Sequence, residues 1–172
     1  MNNLNKNKQI YLVSDTGTKY PISYSDISIS HIIIDMIEDS EDDIDLIPLN
    51  ISDEYIIKII EFCEHYSIDP FIMDENMSLT KGEMITTSDI KYYVPEWYAN
   101  YVNVDVDIIF SLLKSSDFLH IDPLIELCSL KIGTLMKDKS TEELRTIFNI
   151  YDDVSCEEKE EFVQAHAWIK IF

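Results

Sequence analysis

The stretch "KSTEELRTIFNIYDD" (residues 139–153) combines a well-marked helix start with dense apolar content. Ser140 and Glu143 fit the S-x-x-E capping box, in which a hydroxyl and a carboxylate each accept a hydrogen bond from an otherwise unpaired backbone N–H. The apolar residues that follow are Leu144, Ile147, Phe148 and Ile150. One short helix cannot bury all of them by itself, so the stretch predicts a helix that packs against something else.

Ser155 and Glu158 form a second capping box and predict a further helix, after which the sequence closes on "HAWIKIF" (residues 166–172). Terminal segments that are not tied down become disordered. We therefore expect residues 138–172 to form a helical extension that either folds back onto its own domain or docks on a partner. A few buried aromatic and aliphatic anchors are enough to carry a specific complex.

The helix predicted from Pro123 to Lys137 carries two neighbouring apolar stripes. The first consists of Leu124, Cys128 and Leu135. The second consists of Ile125, Ile132 and Met136, with the small Ser129 between them. A helix that is apolar over more than about half of its circumference must be covered on two sides. The helices that follow or a second protein could provide the outer cover, and periodicity alone does not decide between them.

Residues 8–69 show a mixture of strand and helix patterns. "QIYLVSDTGTKYPISY" predicts a hairpin whose turn contains Gly17, and "DISISHIIIDMIED" predicts one helix from its three- and four-residue apolar spacing. An acidic run then leads into a short apolar segment in which Pro48 permits only an edge strand or a strand end. Ser52 is the expected N-cap of the next helix.

Two further segments complete the chain before the extension. Residues 70–93 have no sustained period and contain Pro70 and Gly82, which predicts a mobile surface loop. Residues 94–137 are helical in pattern, with Asp105 as one expected cap and Pro123 at the first position of another helix.

Charge and composition exclude several classes of partner. The 172 residues contain 13 Lys and Arg against 33 Asp and Glu, a formal net charge of −20, and such a polyanion repels nucleic acid and anionic membrane surfaces. The hydrophobic content of 46% is too high for a disordered acidic tail. The cysteines are odd in number and widely spaced, so they suggest no disulfide framework. No signal peptide or membrane span is evident either, and we therefore expect a cytoplasmic or nuclear protein.

The sequence offers little for catalysis or cofactor binding. None of the three glycines lies in a phosphate-binding loop, which argues against a nucleotide cofactor. Cys63 and His65 form the only near thiol–imidazole pair, but residues two apart on a helix point to different sides, so a buried cysteine and a surface histidine are expected. The acidic run from Glu38 to Asp45 lacks the glycine and the closing glutamate of a calcium loop, which favours a solvated loop over a metal site.

Three stretches resemble the S-phase-kinase-associated (SKP-type) adaptor family, the F-box-binding subunits of SCF ubiquitin ligases. They are "VPEWYANYVNVD" (94–105), "LLKSSDFLHIDPLIELC" (112–128) and "STEELRTIFNIYDDVSCEE" (140–158). The likeness is continuous from Val94 to Trp168 and looser through "IYLVSDTG", "MIED", "IPLN" and "FCEHYSIDP". The resemblance implies an α+β fold, in which a BTB/POZ-like domain is followed by C-terminal helices that complete a joint core with an F-box.

The resemblance also implies two binding surfaces. The F-box-binding residues would be Phe110, Ile125, Ser129, Ile132, Met136, Leu144, Phe148, Ile150 and Trp168. The cullin-binding residues would be Asp117 and Phe118, which stand where the family carries an Asn-Tyr pair. This exchange keeps the aromatic ring but changes the polar contacts that the pair can make.

The function implied by the resemblance is that of a non-catalytic adaptor, without cofactor, between a cullin and F-box substrate receptors. The altered pair at Asp117 and Phe118 motivates one alternative, a decoy that holds F-box proteins without recruiting a cullin. A weakly self-associating BTB module is a second alternative. A small cysteine hydrolase that uses Cys63 or Cys128 is a third, from a different class.

Overall fold

The central strand of a three-stranded sheet is β1 (Gln9–Val13) in this computed structural model. It pairs antiparallel with β2 (Lys19–Ser23) and parallel with β3 (Leu46–Pro48), in the order β2-β1-β3. The predicted hairpin is confirmed, and Gly17 in its turn has φ +84°, which glycine adopts without steric cost. The predicted edge strand that Pro48 closes is also confirmed.

The structure describes residues 8–39, 45–71 and 85–166, and the chain divides into two compact units between Asp138 and Lys139. The helical elements of the first unit are α1 (Tyr24–Ile27), α2 (His31–Glu38), α3 (Asp53–Ile68), a 3₁₀ turn (Ile90–Tyr92), α4 (Glu96–Tyr101), α5 (Val106–Phe118) and α6 (Asp122–Met136). In the described part of the chain, no helix is both long enough and apolar enough to cross a membrane.

The helix predicted within residues 26–39 is confirmed as α2 (His31–Glu38), but it does not extend over the whole stretch, because α1 ends at Ile27 and is separate. Ser30 is the N-cap of α2, and its hydroxyl accepts the backbone N–H of Ile33. The same hydroxyl donates to the backbone carbonyl of Leu119 at 2.6 Å, and Ser30 is completely buried. Serine competes with a continuous helix by such capping bonds, and here a partner distant in sequence decides the outcome.

The core of the first unit lies between the sheet and the longer helices. The largest fully buried side chains include Leu12 from β1, Ile47 from β3, Phe62 from α3 and Leu112 from α5. Helix α5 packs against both α3 and α6. The sheet and α6 are therefore linked through one continuous apolar cluster, so α6 has a fixed inner face.

Part of the predicted mobile loop is packed against this core. Phe71 and Ile90 are buried, and Ile85 is a partly buried residue of the same cluster. Within the interval 70–93, predicted as a mobile surface loop, the side chains at 71, 85 and 90 therefore meet the core, whereas residues 86, 88, 89, 91 and 92 are exposed. The isolated apolar side chains show no period, so the sequence pattern did not indicate them. The interval from 72 to 84 lies outside the described residues.

The second unit contains α7 (Thr141–Ile147) and α8 (Cys156–Ala165). Both predicted capping boxes are present, with the Ser140 and Ser155 hydroxyls and the Glu143 and Glu158 carboxylates in their expected roles. None of the described residues 139–166 is buried. The described residues of the second unit are therefore held by local hydrogen bonds rather than by buried apolar side chains.

We expect Ser30→Ala to lower the free energy of unfolding by about 2 kcal/mol, because it removes the α2 cap and leaves the Leu119 carbonyl buried without its partner. Urea denaturation of the full chain followed by circular dichroism measures the change. Ser28→Ala is the matched control, since Ser28 is exposed and its hydroxyl donates to the nearby Ser25 carbonyl. Equal effects of the two substitutions would contradict the proposed role of Ser30.

Candidate protein-binding site

Helix α6 presents one buried face and one accessible face. The buried residues are Leu124, Leu127, Cys128, Leu130 and Thr134. On the opposite side, Ile125, Ser129 and Ile132 are only partly buried, and Met136 is 47% exposed. The first predicted stripe therefore belongs to the core at Leu124 and Cys128, although Leu135 is only partly buried. We call the second one, Ile125, Ser129, Ile132 and Met136, the outer stripe.

Phe110 provides a further accessible apolar side chain in the first unit. It lies on α5 next to the fully buried Ile109 and is itself 43% exposed. Exposure of a single phenylalanine is ordinary, but α5 packs directly on α6, which carries the outer stripe. The predicted residues of the first unit thus lie on two neighbouring helices.

The end of α7 is shaped by Asn149, which has φ +52°. The backbone N–H of Ile150 donates to the Arg145 carbonyl, and the N–H of Asn149 donates to the Thr146 carbonyl. These two bonds are the Schellman pattern, which needs a residue in the left-handed region, and asparagine is the non-glycine residue most suited to it. The turn leaves Ile150 56% exposed directly after the partly buried Leu144 and Phe148.

An apolar groove of about 700 Å³ runs along α8 within the second unit. Val154, Phe162 and Val163 form its apolar lining, and each is more than 40% exposed. Asp152 accepts hydrogen bonds from both Arg145 and Lys159, which joins α7 to α8 beside this lining. Phe162 and its neighbours were not among the predicted site residues, although their spacing along α8 is a helical signal that could have found them.

Three carboxylates of the second unit are stabilised in their ionised form. The backbone N–H of Ser140, with help from Lys139, lowers the pKa of Glu143, and the backbone N–H of Ser155 lowers the pKa of Glu158. The hydrogen bond from Lys159, together with the nearby Arg145, lowers the pKa of Asp152. Negative charge at the start of each helix also interacts favourably with the helix dipole.

Asp117 and Phe118, the predicted cullin-binding pair, lie at the end of α5. Both are exposed, and Phe118 is 57% exposed. Phe118 lines a groove of about 380 Å³ with residues 50–52 before α3 and with Lys114 on α5. Asp117 is not part of its lining. The groove residues before α3 were missed because only the tertiary fold brings them beside α5.

The cysteines and His65 lack the properties of a catalytic pair. Burial raises the pKa of Cys63 and raises the pKa of Cys128 to about 12, so neither thiol supplies a thiolate near neutral pH. His65 is not the expected surface residue, because its ring stacks on Trp97 at 3.6 Å between centroids. Its Nε2 atom is buried and has no hydrogen-bond partner among the described residues. These groups serve packing rather than chemistry.

Two earlier predictions lie largely outside the described residues. Trp168 falls beyond residue 166, and the centre of the acidic run falls in residues 40–44. Among the residues that the structure does describe, no cluster of three or more His, Cys, Asp or Glu side chains is placed to hold a metal ion.

Two family models match this chain. The model described as "Skp1 family, tetramerisation domain" matches residues 8–67, and the model described as "Skp1 family, dimerisation domain" matches residues 122–169. Together they cover more than half of the sequence. The predicted α+β class, with a POZ-like N-terminal domain and a helical C-terminal part, is confirmed.

Full-length similarity to named proteins supports the same grouping. The chain is 29% identical over 161 residues to "E3 ubiquitin ligase complex SCF subunit sconC" of Arthroderma benhamiae, covering 93% of this chain and 94% of the relative. It is 28% identical to "Suppressor of kinetochore protein 1" of Schizosaccharomyces pombe, covering 93% and 96%. A "S-phase kinase-associated protein 1 homolog" of Tetrahymena thermophila is 29% identical, with 81% and 80% covered.

We expect Asn149→Val to unwind the last turn of α7, because a β-branched residue is strained at positive φ. Carbon chemical shifts of residues 144–147 in the full chain measure the helicity of that turn. Asn149→Gly is the matched control and should keep the turn, since glycine adopts this conformation freely. Unchanged shifts in Asn149→Val would show that the Schellman bonds do not hold the turn.

We expect α7 and α8 to lose helicity as the pH falls. The pKa values of Glu143, Glu158 and Asp152 are lowered in the folded state, so their stabilisation is present above the ordinary values of 4.5 and 3.8 and is lost as the pH falls through the folded values. Carbon chemical shifts recorded between neutral pH and about pH 3 follow each helix separately.

Glu143→Gln is the control for this titration, because glutamine keeps the capping bond without titrating. In this variant α7 should respond less to acid, and α8 should respond as in the wild-type chain. Identical helicity of both helices at neutral and acidic pH would contradict the assigned role of the carboxylates.

Proposed function

The chain belongs to the Skp1 family, and on that premise we propose that it is a non-catalytic adaptor that joins an F-box protein to a cullin in an SCF-type ubiquitin ligase. The observation that carries this proposal is the apolar surface that the described residues leave exposed or only partly buried in each unit, on the outer stripe of α6 and along α7 and α8. Relatives that cover nearly the whole chain bear the name of SCF subunits, which supports the same role. We expect such an adaptor to act in the cytoplasm or the nucleus.

The F-box-binding surface proposed for the first unit consists of Phe110 and the outer stripe. Burying the exposed part of Met136 or Phe110 against a partner removes apolar area from water, at roughly 25 cal/mol per Å². Ser129 is small, so a partner side chain can approach the helix closely between Ile125 and Ile132. This arrangement of large residues around a small one is suited to an apolar partner helix.

The F-box-binding surface proposed for the second unit consists of Leu144, Phe148 and Ile150, together with Trp168. Because the described residues of this unit have no buried core, a partner that covers these side chains contributes to the stability of the unit itself. Folding and binding are then coupled, and the adaptor and the F-box complete one joint core.

The cullin-binding surface proposed here is the exposed Phe118 and the adjoining groove before α3. Phe118 supplies an aromatic anchor of the kind that is common among interface hot spots. Asp117 adds a charge beside it, so an effect on cullin affinity is expected from electrostatics. If the cullin contact fails, the protein is a decoy that holds F-box proteins without recruiting a cullin.

The test is titration of the full chain with a panel of F-box segments fused to a carrier protein, followed by isothermal calorimetry. Phe148→Ala and Met136→Ala should each weaken binding by about 10-fold or more, as for truncation of a buried anchor. Ile68→Ala is the control, because Ile68 lies at the end of α3 and is 82% exposed. The proposal fails if no F-box segment binds at micromolar concentration, or if all three variants bind equally.

A second titration, with a purified cullin N-terminal domain, tests the other contact. Phe118→Ala should weaken cullin binding without changing F-box affinity, because it lies on the cullin-binding surface alone. The double substitution Asp117→Asn with Phe118→Tyr restores the polar groups of the family pair and should strengthen cullin binding. F-box binding without any cullin binding would identify a decoy rather than a bridge.

A further inference from the structure

Residues 85–93 form a structured segment, here called the strap, whose centre is the hydroxyl group of Tyr93. This oxygen accepts the backbone N–H groups of Thr86 and Thr87, both at 2.8 Å. Asp89 caps the 3₁₀ turn by accepting the N–H of Lys91 at 3.0 Å. The strap is therefore folded by its own side chains over only nine residues.

The strap is attached to α6. Its 3₁₀ turn packs against both α4 and α6, and Ile90 is buried there. Ile85 reaches α6 at Gly133, where the Cδ1 methyl group of Ile85 lies only 2.1 Å from the position that a Cβ atom would take. A side chain at position 133 and Ile85 cannot both occupy this space.

Gly133 costs α6 stability, since glycine in a helix interior is unfavourable. The contact with Ile85 explains why a glycine stands at position 133, because the isoleucine methyl group fills the volume that a side chain of α6 would otherwise fill. Gly133 is four residues from Ser129 and three from Met136, spacings that place neighbours on one helix face. The strap thus supplies an aliphatic group beside the outer stripe.

We propose that Ile85 is part of the F-box-binding surface and that the strap acts as a wall along one side of the outer stripe. This inference rests on the proposed function, and it adds a contact residue that none of the motifs indicated. Its occupant is an apolar helix of the F-box partner, which would lie on Ser129 and Met136 and touch Ile85 at its side.

The dimensions of packed helices bring a partner helix on the outer stripe within reach of Ile85. Two packed helices lie 8–10 Å apart, and a helix with its side chains is about 10–12 Å wide. Side chains three or four residues apart on a helix are separated by only about 5–6 Å. A partner helix centred on the outer stripe is consequently wide enough to reach the methyl group at Gly133, and Ile85 is only partly buried before it arrives.

The test compares F-box affinity among four variants of the full chain. Ile85→Ala should weaken binding about 5- to 20-fold, as expected for removing an aliphatic contact at an interface. Gly133→Ala should weaken it similarly, because the new methyl group displaces Ile85. Ile57→Ala is the matched control, since Ile57 is an exposed isoleucine on α3 and should stay within about twofold of the wild type. Met136→Ala reports on the outer stripe.

Hydrogen exchange distinguishes a partner contact of Ile85 from a purely structural role, because a structural role predicts no change in the exchange rate on F-box binding. In the wild-type chain, F-box binding should slow exchange of the Thr86 and Thr87 amides, because the partner covers the strap. Wild-type affinity of both Ile85→Ala and Gly133→Ala, with Met136→Ala weakened, would overturn the inference and leave the proposed function intact. Absence of binding by the wild-type chain itself would overturn both. Unchanged exchange of these amides would also overturn the inference.

Discussion

The structure depends on a helix that needs cover on two sides. Helix α6 buries Leu124, Leu127 and Cys128 within the first unit, where α5 and the core fix its position. Its other face keeps apolar side chains that the described residues of that unit do not enclose completely. Because the inner face packs against the core, the backbone that carries the outer stripe is already ordered within the first unit.

The second unit follows a different physical rule. Its described residues have no buried core, so their order rests on caps, on the Schellman turn at Asn149 and on the ion pairs at Asp152. Each of these is a local interaction of modest strength, and exposed ion pairs in particular contribute little. Local bonds of this kind define where helices start and stop, while the free energy that fixes their packing must come from apolar burial. The apolar face of α6 is thus fixed by the core of the first unit, whereas the described part of the second unit depends on local bonds.

Local signals allowed the starts of several helices to be predicted well from sequence. Pro123 near the start of α6 and the serine caps of α7 and α8 gave boundaries within about a residue, because caps act through bonds three residues away. The break between α1 and α2 was missed, since Ser30 is held by Leu119 from a distant part of the chain. The strap was missed for the same reason. Ile85 shows no apolar periodicity with its neighbours, and its position depends on its contact with Gly133. Family resemblance supplied the candidate partner, which spacing alone left open.

The large negative charge opposes the association between copies that the exposed apolar surfaces promote. Exposed apolar patches promote association, whereas a net charge of −20 adds a repulsion between copies of the chain. In the described second unit, the three cations Lys139, Arg145 and Lys159 stand against eight carboxylates, so an excess of negative charge remains there. Repulsion of this kind acts over about a Debye length and discriminates by charge, while apolar contact discriminates by shape. Charge therefore favours a neutral or basic partner at this surface over a second copy of the chain.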